Sequence, residues 1–231
     1  MTVLSAHQPA YLPWLGYFAK MASSDAFVLH DRSRIGRRNM LHRNRIGTAD
    51  GPMLLTVPLA GRDVRDERPL NEIRLVDDGW RRKHWKAIQL AYRRAPYFDL
   101  HAEFLADYYA TAHETLDEAC RPLIAYFAAA LGVSTPTWQL SDLGLPPVDR
   151  QTIIPELCRE FGADTFIAGP QARDYLDREA VARDGVRVEF FSYAHPEYPQ
   201  LHGGFTSHLS ALDLLVNCGP GAADVLKESL V

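Results

Sequence analysis

Apolar residues recur along the chain in short runs broken by proline and glycine, and the runs follow two different periods. Residues 2–6, Thr2-Val3-Leu4-Ser5-Ala6, form an apolar stretch that stops before Pro9 and Pro13, which predicts a buried strand leaving into a loop. Over 14–22, Trp14, Leu15, Phe18, Met21 and Ala22 fall at helical spacing, with Pro13 well placed at the start. Residues 26–30 read as a second buried strand. Strand, short helix and strand within about thirty residues make one βαβ unit and imply a parallel pair.

Further on, 53–59 and 72–76 read as strands separated by a polar, charged loop over 61–69. Helices are predicted over 80–94, broken at Ala95-Pro96, and over 99–111 and 113–131, the last stopped by Gly132. Strand and helix then alternate again: a strand at 137–140, a helix over 150–161 with Gly162 after it, strands at 165–168 and 186–191, and a final helix over 209–216 capped by Ser207 or Ser210. This pattern predicts an α/β fold, an open and mostly parallel sheet with flanking helices and a helical insertion around 80–131. With no long linker in the middle, one domain over 1–231 is the expectation.

Composition narrows the function classes. No apolar stretch approaches the roughly 18 to 20 residues needed to span a bilayer, and Met1 to Ala6 lacks the basic start of a secretory signal, so a soluble cytoplasmic chain without membrane insertion is expected. Cys120, Cys158 and Cys218 are far apart and lack CxxC spacing, which indicates neither a disulfide framework nor a zinc knuckle. The net charge of -4 argues weakly against nucleic acid. Basic residues are nevertheless grouped: Arg32, Arg34, Arg37, Arg38, Arg43 and Arg45 in one stretch, and Arg81, Arg82, Lys83 and Lys86 in another. Each group is either a solvated face or a site for phosphate or carboxylate.

Candidate chemistry gathers at strand exits, because ligands in open α/β sheets bind beyond the carboxyl ends of the strands. His7 and Gln8 follow the first strand directly, and His7 serves either to cap the loop or as general base or oxyanion donor. Gly16 lies near a helix start, where it permits either close approach of an anion or tight helix packing. Asp31 ends the second strand and is expected to orient His7, or to pair with Arg38 or Arg45. Arg38, Arg43, Asn44 and Arg45 can together hold a phosphate, pyrophosphate or carboxylate. Near the end, His195, Tyr198 and Gln200 repeat the chemistry of the first segment, so the two exits are expected to face one cleft. Tyr11, Trp14, Tyr17, Ser210 and Asp213 complete the expected substrate-binding set; no metal ligand set is read. GxSxG, Walker A, GxGxxG after a strand and HExxH are all missing, which disfavours serine catalysis, P-loop and Rossmann dinucleotide sites and zincin chemistry.

The strings His7-Gln8-Pro9, Tyr11-Leu12-Pro13-Trp14-Leu15-Gly16-Tyr17-Phe18 and Arg43-Asn44-Arg45-Ile46 resemble the WbqC-like protein family. So do Thr56-Val57-Pro58, Trp80 with Lys83-His84, Tyr92 with Pro96-Tyr97-Phe98, and His195-Pro196 with Tyr198 and Gln200. Phe205, Ser210, Asp213-Leu214 and Asn217-Cys218-Gly219 extend the likeness over nearly the whole chain; His30-Asp31-Arg32-Ser33 departs from the commoner family pattern. The resemblance implies a part in bacterial O-antigen, other polysaccharide or natural-product biosynthesis, with transfer of an acyl or aminoacyl group to an amine as the expected reaction and a non-catalytic binding protein of a biosynthetic complex as an alternative. The substrate is then a small molecule with a phosphate or carboxylate, and the donor an activated acyl group, an aminoacyl-tRNA among the candidates. A second likeness is to the strand-HxGH-helix arrangement of nucleotidylyltransferases and pantothenate synthetases, the HUP-type folds, which implies ATP as an alternative cofactor. Trp14 and Tyr17 stand where that motif has its two histidines.

Overall fold

A computed structural model describes residues 1–36, 39–145, 152–174 and 176–230. Five parallel strands form the main sheet: β1 (Val3–His7), β2 (Ala26–Leu29), β5 (Thr137–Gln139), β6 (Thr165–Ala168) and β7 (Arg187–Phe190), in the spatial order β5-β2-β1-β6-β7. An antiparallel hairpin, β3 (Arg43–Thr48) and β4 (Gly51–Thr56), stands apart from it. Numbered among themselves in chain order, the sheet strands run 3-2-1-4-5, the doubly wound arrangement, with the order reversing between β1 and β6.

Alternation along the strands sends side chains to two cores. On β2, Phe27 and Leu29 face one core and Ala26 and Val28 the other. The first core holds α1 (Leu15–Ala22), α3 (Trp80–Tyr92), α4 (Asp99–Ala110), α5 (Leu116–Ala130), α8 (Ala211–Cys218) and α9 (Ala222–Glu228). The second holds α6 (Ile153–Phe161) and α7 (Arg178–Arg183). Leu4 and Ala6 of β1 pack toward this second core, so Ser5 and His7 point to the α1 side, where the Ser5 hydroxyl meets that of Ser24 at 2.8 Å.

The expected βαβ unit, the helices of the 80–131 insertion, β6, β7 and α8 are all present, and Gly132 and Gly162 end their helices at φ values of 69° and 58°. The expected strand at 72–76 is not. Leu70–Glu72 is a 3-10 turn, and Arg74 and Leu75 make only single bridges, to Thr115 and Leu59. The loop expected at 61–69 contains a helical turn, α2 (Gly61–Arg65), whose buried Asp63 binds the Arg74 guanidinium through Oδ1 and Oδ2 at 2.8 and 2.9 Å. No helix among the described residues is long and apolar enough to cross a membrane.

Candidate functional site at the ends of β1 and β6

The loop between β1 and α1 is fixed by distant parts of the chain. Tyr11 N donates to Leu41 O at 2.7 Å, Asn44 Nδ2 to Leu12 O at 2.6 Å, and Ala211 N to Pro13 O at 2.8 Å. Leu12 is held at φ 46°, in the left-handed region that a branched side chain avoids. These anchors fix the segment that leaves His7, the last residue of β1, and Gln8 at the point where strand order reverses. Gln8 Nε2 reaches Ser33 Oγ at 2.8 Å.

His7 Nδ1 lies 3.0 Å from Gln8 O. A carbonyl only accepts, so Nδ1 carries the proton and Nε2 is left as an acceptor. Burial, and then the charge of Lys20, push the imidazole down to about 4, so it is neutral at physiological pH. Lys20, absent from the sequence-based set, comes from α1 with only 4% of its surface exposed, and its Nζ donates to Ala6 O at 2.7 Å. Burial pushes this amine down to about 7. A signal for it was present: a helix apolar on every face is buried, and any charge it carries is buried with it.

Trp14 joins the first polar segment to the last. Its ring meets Tyr193 edge-on at 5.2 Å and stacks on His208 at 5.1 Å and on His195 at 6.4 Å. Trp14 also bridges to Ser210 through the main chain, and Ser210 N donates to Arg45 O at 2.8 Å. Gly16 makes this possible, because a Cβ there would lie inside the Trp14 ring. Tight packing, one of its two expected roles, is thus seen. His195 donates through Nδ1 to Pro196 O at 2.9 Å, and its Nε2 is buried without a hydrogen-bond partner among the described residues.

Several expected site residues instead brace the fold. Asp31 is turned away from His7: it is fully buried, and its carboxylate accepts from Ser141 N at 3.0 Å and Ser141 Oγ at 2.5 Å, with Gln139 and Asn71 at 3.4 and 3.5 Å. Sequence could place Asp31 at a strand end but not say which way the side chain leaves. Gln139 also donates at 2.9 Å to Asp117, whose carboxyl is pushed up to about 6 by burial against the opposing pull of Arg121. Tyr11 is fully buried, its hydroxyl 2.8 Å from His84 Nδ1 and 2.6 Å from Tyr109 OH, deep in the helical core. Asn44 is spent on the Leu12 carbonyl and the Arg45 amide. Ser210 caps α8, accepting from Leu212 N at 3.3 Å. Gln200 clamps Thr206 through both ends of its amide.

Asp213 is buried, which raises its carboxyl, and accepts 2.7 Å from Tyr92 OH. Tyr198 and Gln200 approach the same carboxylate and favour its charged form, without a well-formed bond to Oδ1. Tyr17 is buried with its ring 4.7 Å from that of His7. Of the basic stretch, Arg43 and Arg45 share the outward face of β3. Arg43 Nε donates to Asn39 O, Arg45 is exposed, Arg32 binds Leu145 O and Arg34 pairs with Glu67, while Arg37 and Arg38 lie outside the described residues. Two surface depressions lie elsewhere, one on the outer edge of β5 beside Arg121 and Trp138, the other near the amino ends of β6 and β7 beside Asp164 and Gly185.

A model of the WbqC-like protein family matches residues 8–225. The chain belongs to the WbqC-like protein family. It is 33% identical over 222 residues to a protein of Mycobacterium tuberculosis, "Uncharacterized protein Rv1507c", with 95% of each chain covered. No solved structure matches the chain. The match thus takes in Gln8 to Asp213, both strand exits of the WbqC-like fold and the hairpin that links them, while His7 lies just ahead of it.

Proposed function

We propose that the chain is a transferase of bacterial polysaccharide or natural-product biosynthesis that moves an acyl or aminoacyl group onto an amine. One observation carries this reading: His7 stands at the carboxyl end of β1, where the strand order reverses, with Nδ1 committed to Gln8 O and Nε2 left neutral as a base. The amine nitrogen attacks the acyl carbonyl while His7 Nε2 takes its proton. The C–N bond forms, the bond to the leaving oxygen or sulfur breaks, and the proton passes to the leaving group. Arg43 and Arg45, on the outward face of β3, meet anionic parts of the donor at the rim.

The test is to incubate the protein with amino-sugar and amine acceptors and with acyl-CoA, aminoacyl-adenylate or aminoacyl-tRNA donors, and to look for the amide by mass spectrometry. An amide whose formation disappears with His7→Asn supports the reading. No product with any donor overturns it.

The strand order, with a loop and helix directly after β1, favours a second, HUP-like reading in which ATP is bound for adenylation or nucleotidyl transfer. A ligand of the folded state raises stability by RT ln(1 + [L]/Kd), so millimolar ATP should raise the melting temperature. An unmoved melting temperature removes this alternative.

A further inference from the structure

Lys20 has no task in the amide-forming step, yet its placement is unusual for this chain. Of the 25 basic side chains, four are lysines. Lys83, Lys86 and Lys227 are exposed, and Lys20 is buried. Its Nζ touches the carbonyl of Ala6, the residue before His7, and points from α1 to the face of β1 that His7 also uses. Burial is the only influence resolved on it, and no carboxylate reaches it among the described residues. An ammonium offers three N–H donors, and one is committed here.

Buried cations are normally paired, because an ion taken out of water without a counter-charge is costly. Arginine supplies most of this chain's positive charge but cannot give up its proton in a protein; lysine can. A lysine is therefore tolerated in the empty site and becomes a full cation when a negative charge arrives. The residue type, the free donors and the location beside His7 all fit an anion received there.

We propose that the Lys20 ammonium binds an anionic group of the ligand, a phosphate or a carboxylate, beside His7. This rests on the ligand position assigned above, at the ends of β1 and β6, and not on which group is transferred. The rim arginines then meet a different part of the ligand. Lys20 fixes the ligand's depth, and His7 Nε2 faces the reacting atom next to it.

Phosphate, pyrophosphate and acetate, each against chloride at matched ionic strength, are titrated by calorimetry into the wild type and Lys20→Met. The wild type should bind phosphate or acetate saturably, and the stronger of the two identifies the anion class. Lys20→Met should weaken that binding at least tenfold while raising the melting temperature, since an unpaired buried charge is removed. In protein labelled with 13C-lysine, one of four Cε signals should move with the anion. Binding unchanged in Lys20→Met, or no response of the wild type beyond that to chloride, overturns the proposal. Should Lys20→Met not fold, the Cε titration of the wild type decides: four unmoved signals overturn it. Anion binding that survives alongside a failed transfer assay would retire the reaction and leave the site; the reverse would retire Lys20 and leave the reaction.

Discussion

β1 and β7 leave the same sheet in the same way and arrive at different ends. His7 ends β1 and His195 lies a few residues beyond β7, and each donates through Nδ1 to the carbonyl of the next residue, His7 to Gln8 at 3.0 Å and His195 to Pro196 at 2.9 Å. β1 lies in the middle of the sheet, with β2 on one side and β6 on the other, so its exit opens where the crossovers diverge. β7 is an edge strand, and the chain after it runs back over Trp14, packing His195 among Tyr193, Tyr198, Phe205 and His208. The Lys20 amine and the Tyr17 ring lie beside His7, whereas only aromatic and imidazole rings surround His195. Position in the sheet, more than local residue chemistry, separates the two exits.

The largest effect that would break this contrast is kinetic. His7→Asn should lower kcat/KM of amide formation by about 10²–10⁴-fold, the range for loss of a general base, whereas His195→Asn should cost less than about tenfold. The opposite ranking would move the chemistry to the β7 exit.

Next in size, Asp31→Ala leaves the amide and hydroxyl of Ser141 without their buried acceptor and should lower unfolding free energy by about 2–4 kcal/mol in urea. Turnover per folded molecule should stay near wild type, because Asp31 does not touch His7. A large loss of turnover at full folding would restore Asp31 to the β1 exit.

The acid side of the stability curve gives a smaller effect. His7 sits at about 4 when folded, against 6.5 for a free imidazole. Between those values the unfolded chain binds the extra proton, so stability falls as pH drops from 6.5 to 4 and is fully present above 6.5. The full shift is worth about 3 kcal/mol, which the ring's partial exposure cuts to on the order of 2. His7→Asn should flatten that window in urea titrations, while a curve unchanged by the substitution would show that another group sets it.

The smallest effect sharpens the link between the exits. Gly16→Ala drives a methyl into the Trp14 ring and should cost about 1–2 kcal/mol, with a shift in tryptophan emission. Unchanged emission and melting would mean that Trp14 is not held by this contact.

Much of the fold was legible because strand and helix periods are properties of neighbouring residues. The βαβ unit over 3–29 and the helices from Trp80 to Ala130 show those periods plainly. The β3–β4 hairpin was half missed, since Arg43-Asn44-Arg45 reads as clustered chemistry although it alternates outward, inward, outward as a strand does. The site was less legible for a related reason. Which way Asp31 turns, or that Tyr11 reaches His84 and Tyr109, depends on residues far off in sequence. Lys20 was not singled out, because a lysine's aliphatic stem can lift its charge to solvent; burial of α1 from Leu15 to Met21 removes that option.

The bond from Ala211 N to Pro13 O closes a loop of nearly the whole chain. During synthesis, at about 5–20 residues per second, the segment after β1 emerges first and waits for α8 before its conformation can be set. Until then Leu12 has no reason to hold its left-handed backbone, and Trp14 has neither Ser210 to bridge to nor His208 to stack on. The chain can therefore form a helix after β1 early, yet its first loop is fixed only when its last quarter has folded. The setting of that loop is thus a late event in the protein's birth, and a nascent or C-terminally shortened chain leaves it unset even when most of its secondary structure is in place.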